Sequence, residues 1–286
     1  MVNLFGEEEL DVTRSILRQK FIEPPFSRQS GWQERKRTWK QLGIRPEIVN
    51  NNNTKTFNIS EWANEKADKD MPAISIFDPA LCEVIYKWFC PDGGSILDPF
   101  AGGAVRGIVA NFMGYHYTGI DIRQEQIEDN RNQALDILPV DNQPQWYVGN
   151  SLLELSKFKE DSFDFIFSCP PYADLEVYSD LEGDISNMHY EDFLGAYTDI
   201  IWQACKCLKP GGYACFVVGE VRDKKGALRG LVPETINAFL LADMQYYNEI
   251  IMITPTGTAA IRANGSMKNK KIVRTHQNIL VFKKGV

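Results

Sequence analysis

Between Ser95 and Phe282 the chain alternates short apolar runs of strand length with segments of helical period, and that alternation leaves few architectures open to it. Strand character is found at Ser95 to Asp98, Tyr117 to Asp121, Gln145 to Gly149, Phe163 to Ser168, Tyr213 to Gly219, Tyr246 to Ile253 and Asn278 to Phe282. Helices are expected around Leu81 to Phe89, Ala104 to Met113, Gln124 to Leu138, Tyr190 to Leu208 and Val232 to Leu241. Strands separated by helices pair in parallel through right-handed crossovers, with helices on both faces. The expected fold class is therefore α/β, a doubly wound, mostly parallel seven-stranded sheet of Rossmann-like form.

A chain of 286 residues that is 44% hydrophobic can bury one sizeable core with an appendage rather than two full domains. Residues 1–70 carry Pro24-Pro25, Trp32, Trp39, the run Asn50 to Asn53 and the polar stretch Glu65 to Asp70, without sustained periodicity. They are expected to form a partly helical, basic and aromatic extension, and residues 71–286 the regular domain.

No apolar stretch approaches the ~20 residues that span a bilayer. The Met1 region, with Glu7-Glu8-Glu9, lacks the basic and apolar parts of a signal peptide. A soluble cytoplasmic protein with no membrane partner is expected. The cysteines Cys82, Cys90, Cys169, Cys205, Cys207 and Cys215 show no paired CxxC spacing, and the histidines are only His116, His189 and His276, so no metal site is expected.

The net charge of -7 is unevenly spread. Between Arg14 and Lys40 the bases Arg14, Arg18, Lys20, Arg28, Arg35, Lys36, Arg37 and Lys40 face only Glu23 and Glu34. From Ile251 onward Arg262, Lys268, Lys270, Lys271, Arg274, Lys283 and Lys284 face no acid. Either end could meet phosphate, or each could be a solvated face.

Two motifs stand where apolar runs break into turns. The first is Ile96-Leu97-Asp98-Pro99-Phe100-Ala101-Gly102-Gly103, the second Phe165-Ile166-Phe167-Ser168-Cys169-Pro170-Pro171-Tyr172. In an open parallel sheet, ligands bind beyond the carboxyl ends of strands where the strand order reverses. Glycine lets the backbone approach a ligand, and the Asp98 carboxylate can accept hydrogen bonds or face an ammonium group. The spacing is not GxGxxG and no Gly-Lys-Ser/Thr follows, which disfavours a dinucleotide or a nucleoside triphosphate. At the end of the next strand Asp121 can bind the two hydroxyls of a ribose, or cap the helix after it. Asn150, after Gly149 and before Ser151, can reach an adenine edge or serve as a helix cap.

On these residues the chain resembles the S-adenosylmethionine-dependent amino-methyltransferases of DNA, over roughly Ile74 to the C-terminus. Asp98, Pro99, Phe100 and Gly102 match the family's Asp-Pro-Phe-x-Gly-x-Gly, while Ala104 replaces the last glycine and Gly103 stands beside it. Phe77-Asp78-Pro79, followed by the helix with Glu83, resembles the segment that borders the methionine end of the cofactor. The resemblance implies S-adenosyl-L-methionine as cofactor, held by Phe77, Asp78, Asp98, Pro99, Phe100, Gly102, Gly103, Asp121, Ile122, Asn150 and Ser151. Pro170, Pro171 and Tyr172 match the Asp/Asn/Ser-Pro-Pro-Tyr motif. In that motif a side chain and a prolyl carbonyl accept the amine hydrogens, and the aromatic ring stacks on an extruded base. Cys169 replaces the side-chain acceptor, and a thiol accepts weakly. Its size leans toward the serine of cytosine-N4 enzymes over adenine-N6 enzymes, with Ser168 as a substitute acceptor.

The function expected is DNA methylation at cytosine N4 or adenine N6, as in restriction-modification, with Cys169, Pro170, Pro171 and Tyr172 catalytic. Three rivals are carried: cytosine C5 methylation with Cys169 as nucleophile, methylation of RNA, and a nucleic-acid-binding protein with weakened catalysis. DNA contacts are expected from Arg35, Lys36, Arg37, Lys271, Arg274 and His276, with Glu249 nearby. No separate recognition domain is apparent, so the N-terminal segment, the loop Thr254 to Lys271, or a restriction or specificity partner would read sequence. The acidic stretch from Ala173 to Asp192 is expected to be a mobile lid or partner surface, with Tyr178 packed or closing over the base.

Overall fold

A computed structural model describes residues 30–47, 76–172, 179–223, 225–253 and 259–286 of the chain. In chain order the elements are α1 (Ser30–Gln41), α2 (Pro79–Phe89), β1 (Ser95–Asp98), α3 (Val105–Phe112), β2 (His116–Asp121), α4 (Gln124–Ile137), β3 (Gln145–Val148), α5 (Ser151–Leu155), β4 (Phe163–Ser168), α6 (Tyr190–Cys207), β5 (Leu208–Val218), α7 (Leu231–Leu241), β6 (Met244–Ile253), α8 (Ala259–Lys268) and β7 (His276–Lys284), with a 3-10 turn at Ile185–Asn187. The strands form one seven-stranded sheet in the order β3-β2-β1-β4-β5-β7-β6. All neighbours are parallel except β7, which runs antiparallel to both β5 and β6.

Alternation along the central strands divides two cores. Ile96, Phe165 and Phe167 join Trp32, Trp39, Tyr86, Ile108 and Ile127 under α1 to α4. Leu97 and Ile166 join Phe193, Tyr197, Phe216 and Phe239 under α6 and α7. From β1 the chain builds outward to β2 and β3, then returns to place β4 on the other side of β1. The switch point therefore lies between the ends of β1 and β4, where Asp98 and Ser168 are the last strand residues.

Helix α1, in the segment expected to be an extension, is built into this core. Trp32 and Trp39 stand two helical turns apart on one face, and each is only 1% exposed. Trp32 Nε1 donates to Asp78 Oδ2 at 3.0 Å, and Lys36 Nζ pairs with the same oxygen at 3.0 Å. Trp39 Nε1 donates to Glu83 Oε1, which also accepts from Arg35 Nε at 2.6 Å. Burial pushes the Glu83 carboxyl up against the opposing pull of Arg35 and Trp39. Asp78 additionally caps α2 through Ala80 N, with Pro79 at the first helical position.

Strand β5 starts earlier than expected, at Leu208, and carries Lys209-Pro210-Gly211-Gly212 alongside β4 before the regular register begins at Phe165 and Tyr213. Residues 259–268, expected within a loop, form α8, whose Ala259, Ala260 and Ala263 favour a helix without an apolar period to announce it. Pro24-Pro25, Asn50 to Asn53, Glu65 to Asp70 and the bases Arg14, Arg18, Lys20 and Arg28 lie outside the described residues. Among the described residues no helix is long and apolar enough to cross a membrane.

Replacing Trp39 by Ala empties a buried site and removes a donor from Glu83. We expect it to cost about 3–5 kcal/mol in urea unfolding of the whole domain. A loss under ~1 kcal/mol would show that α1 rests on the surface instead.

Candidate cofactor and base site

The loop after β1 is fastened from below before it reaches its glycines. Pro99 O accepts the Ser151 hydroxyl at 2.5 Å, and the Phe100 ring packs on Tyr197 and Phe216 with centroids 5.8 and 6.4 Å away. Gly102 then turns the chain in the left-handed region, at φ 49°. Its N–H donates to Asp121 Oδ2 at 2.9 Å, and its carbonyl accepts Asn130 Nδ2 at 2.7 Å. Ala101 N–H donates to Ile120 O at 2.9 Å, so the loop is clamped to the end of β2 at two points.

Asp98 is fully buried, and its oxygens are committed within the protein. Oδ2 accepts from Arg106 Nε at 2.6 Å and from the Tyr117 hydroxyl at 2.7 Å. Oδ1 accepts from the Ser168 hydroxyl at 2.5 Å and from Phe100 N–H at 3.1 Å. Arg106 also donates to Phe100 O and Ala101 O, at 2.7 and 2.8 Å, and its guanidinium lies 4.7 Å from the Phe77 ring centroid. Burial works against the Arg106 charge, but Asp98 beside it holds its pKa well above the ordinary value. The same burial and the Asp98 charge push the Tyr117 phenol up. Asp98 thus holds the loop from beneath, and Ser168, expected as a substitute acceptor for a base amine, is a buried donor to Asp98 instead. Arg106 has no strong sequence signal beyond being an arginine in the apolar text of α3, three residues past Gly103.

Asp121 is 12% exposed at the end of β2, and besides Gly102 it accepts Arg123 N–H at 2.8 Å. Burial pushes its carboxyl up, against Arg123, which pulls it down. Asn150 caps α5 through Leu152 N–H at 2.9 Å, so the capping alternative is realised, while its amide lies against Gly183. Gly183 also approaches Ile122, so the described part of the acidic stretch packs over this rim. It is an ordered turn: Asp184 accepts from Ser179 Oγ at 2.6 Å and from Ser186 N–H at 2.8 Å, and both serines are buried. Residues 179–187, in the stretch expected to be a mobile lid or partner surface, thus form a hydrogen-bonded turn; Asp174, Glu176 and Tyr178 lie outside the described residues. Phe77 stands edge-on to Phe167, 5.9 Å between centroids, on the β4 side of the same loop.

Across the switch point, Cys169 is half-buried against the first core and Pro170 is buried, while Pro171 and Tyr172 are partly exposed. The Tyr172 hydroxyl accepts from Gln277 Nε2 at 3.1 Å, and its ring lies against Gly219. Gln277 and Gly219 drew no role from the sequence because they reach Tyr172 only through the β5–β7 pairing.

The expected nucleic-acid contacts divide. Arg35 and Lys36 are paired with Glu83 and Asp78, which hold α1 in place, so the structure gives them a packing task beside the expected phosphate contact. Arg37 on the outer face of α1 is exposed. Arg274 and His276 are partly exposed at the start of β7, on the same sheet edge as Tyr172, and Lys271 lies against Gly226 in the β5–α7 connection. Glu249, on edge strand β6, accepts from Asn278 Nδ2 at 2.5 Å. Arg262 lies where side chains are not described.

Sheet order, switch point and glycine loop define a class I methyltransferase fold. No family model matches the chain. It is 27% identical over 161 residues to the type II methyltransferase M.BglII of Bacillus subtilis, a match covering 56% of this chain and 41% of that protein's length. Among solved structures, it superposes on the [4+2]-cyclase SpnF with a TM-score of 0.52 at 15% identity, over 77% of this chain and 85% of that one. On a geranyl diphosphate methyltransferase the TM-score is 0.50 at 16% identity, over 73% and 78%. A cyclase and a methyltransferase share this sheet, so the fold alone does not specify the chemistry.

Replacing Arg106 by Met leaves Asp98 charged and uncompensated in the core, which is expected to cost about 3–5 kcal/mol in chemical denaturation. The double variant with Asp98→Asn should recover a large part of that loss. Simple additivity of the two would show that the pair is not coupled.

Proposed function

We propose that this protein is a DNA methyltransferase that transfers a methyl group from S-adenosyl-L-methionine to the exocyclic amine of an extruded cytosine or adenine. The observation that carries the reading is the placement of Cys169-Pro170-Pro171-Tyr172 and the Gly102-Gly103 loop on facing strand ends of one switch point. The similarity to M.BglII supports DNA as the substrate.

The residues suit the cofactor chemically. A clamped glycine loop offers backbone at close range, Asp121 offers lone pairs to a diol, and Ile122 with Asn150 forms a rim that an adenine could occupy. Phe77 borders the opposite end. The bound cofactor supplies an activated methyl group on a sulfonium. The chain's own task is alignment: the target amine must present its lone pair to that methyl while its hydrogens are held. The Cys169 side chain and the backbone carbonyl of the Pro170-Pro171 pair accept those hydrogens, and the displaced proton leaves to water. Tyr172 stacks on the base with its hydroxyl held by Gln277. Arg37, Lys271 and Arg274 supply cations and His276 a ring N–H for DNA backbone contact; a specificity or restriction partner would add sequence recognition.

Expression in a host without DNA methylation, followed by mass spectrometry of digested nucleosides, should reveal N4-methylcytosine or N6-methyladenine. Cys169→Ser, which supplies a better acceptor in similar volume, should keep that activity. Appearance of 5-methylcytosine, lost entirely in Cys169→Ser, would replace the amine reading with thiolate attack at carbon 6. Modified nucleosides confined to RNA would move the substrate, and cofactor binding without any product would leave a binding role.

Asp121 also sets a pH dependence. Only its ionised form accepts two hydroxyls, and burial raises its pKa above 3.8, so affinity for the cofactor should fall on acidification sooner than for an ordinary aspartate. Calorimetric titration across mildly acidic pH checks this, and Asp121→Asn should bind weakly with that pH dependence removed.

A further inference from the structure

The chain leaving α1 does not turn away from the domain. Gly43 packs on Ile137, Ile44 is buried, and Arg45 N–H donates to Gln133 Oε1 at 2.7 Å. The Arg45 guanidinium lies 3.9 Å from Asp129 and 3.7 Å from Asp136. These contacts lead residues 43–47 along α4 toward its N-terminus and deliver Glu47 onto the glycine loop. A Cβ added to Gly102 would lie 2.7 Å from Glu47 Oε1, and one added to Gly103 would lie 2.5 Å from Glu47 Cγ. Among the described residues, the atoms nearest to a side chain built at either glycine belong to Glu47, a carboxylate.

We propose that Glu47 is a cofactor-binding residue that accepts hydrogen-bond donors of S-adenosylmethionine from above the glycine loop. The inference rests on the S-adenosylmethionine reading and deepens it. Asp98, read as able to accept hydrogen bonds or to face an ammonium group, has both oxygens engaged as acceptors within the protein. Among the described residues Glu47 makes one ion pair, to Arg123 NH2 at 3.7 Å, longer than a hydrogen bond, and its side chain is 28% exposed. Its neighbour Asp121 is a second carboxylate, and the two share the Arg123 guanidinium, which also lies 3.5 Å from Asp121. Two acids against one base leave excess negative charge beside the glycine loop, which suits a ligand whose sulfonium and ammonium outweigh its single carboxylate. An arm anchored by Arg45 and Ile44 holds this acid in place before any ligand arrives, which reduces the ordering cost of binding.

The test is calorimetric titration of the full chain with S-adenosylmethionine and with its neutral demethylated product, for wild type, Glu47→Gln and Glu47→Ala, alongside thermal melts. Glu47→Gln keeps shape and removes charge, so its melting temperature should hold. S-adenosylmethionine affinity should fall by about tenfold or more, the range for a lost hydrogen bond to a charged group, and more than affinity for the neutral product. Glu47→Ala should lose at least as much. Unchanged affinity in both variants would overturn the proposal, and tighter binding would do so as well, by making Glu47 a plug that the ligand must displace. Failure of the wild type to bind either compound would overturn the cofactor reading itself, a result distinct from a variant-specific change.

Discussion

The ion pair between Asp98 and Arg106 is the interaction on which the site depends. A carboxylate fully inside a protein is untenable without a partner and without donors for its remaining lone pairs. Asp98 has both, and each donor comes from a different part of the fold: Arg106 from α3, Tyr117 from β2, Ser168 from β4 and the Phe100 backbone from its own loop. One buried charge thereby joins β1 and β4, whose ends form the switch point, to β2 and α3 beside them. Because Ser168 immediately precedes Cys169, the same carboxylate that holds the glycine loop fixes the start of the Cys-Pro-Pro-Tyr segment. The two halves of the candidate site are mechanically one piece.

Above this hub the arrangement changes from buried and satisfied to partly open. Asp121 and Glu47 flank the glycines as partly exposed carboxylates, and the Tyr172 hydroxyl on the β4 side is held by Gln277. A methyl transfer asks for little from acid or base groups and much from orientation, so rigid support below and open valence above suit that chemistry. Helix α1 serves this division of labour. Its tryptophans and cations engage Asp78 and Glu83, and the segment after it carries Glu47 to the pocket.

The parallel core was legible because its strands are short, apolar and separated by helices, and β1 and β4 fall where the pattern placed them. The seven mostly parallel strands followed from the same pattern, whereas their order and the antiparallel β7 come from the structure. The site was legible only where chemistry and strand end coincide in one motif, as at Asp98 to Gly103 and Cys169 to Tyr172. What escaped the sequence depends on contacts between distant segments. Nothing around Arg35 or Lys36 reveals that acids in α2 will claim them, so their charge suggested phosphate. Glu47 sits in text without period, and its position becomes meaningful only once residues 43–47 run along α4. Ser168 illustrates the same limit at shorter range: a serine beside a catalytic motif can be a donor to the fold as readily as an acceptor for a substrate.

A crystal structure of the full chain soaked with S-adenosylmethionine tests the central claim most directly. The ligand should lie across Gly102 and Gly103 with its ribose hydroxyls at Asp121, while Asp98 remains beneath the loop, still bonded to Arg106, Tyr117 and Ser168. A ligand bound elsewhere, or an Asp98 that abandons Arg106 to reach it, would contradict the account.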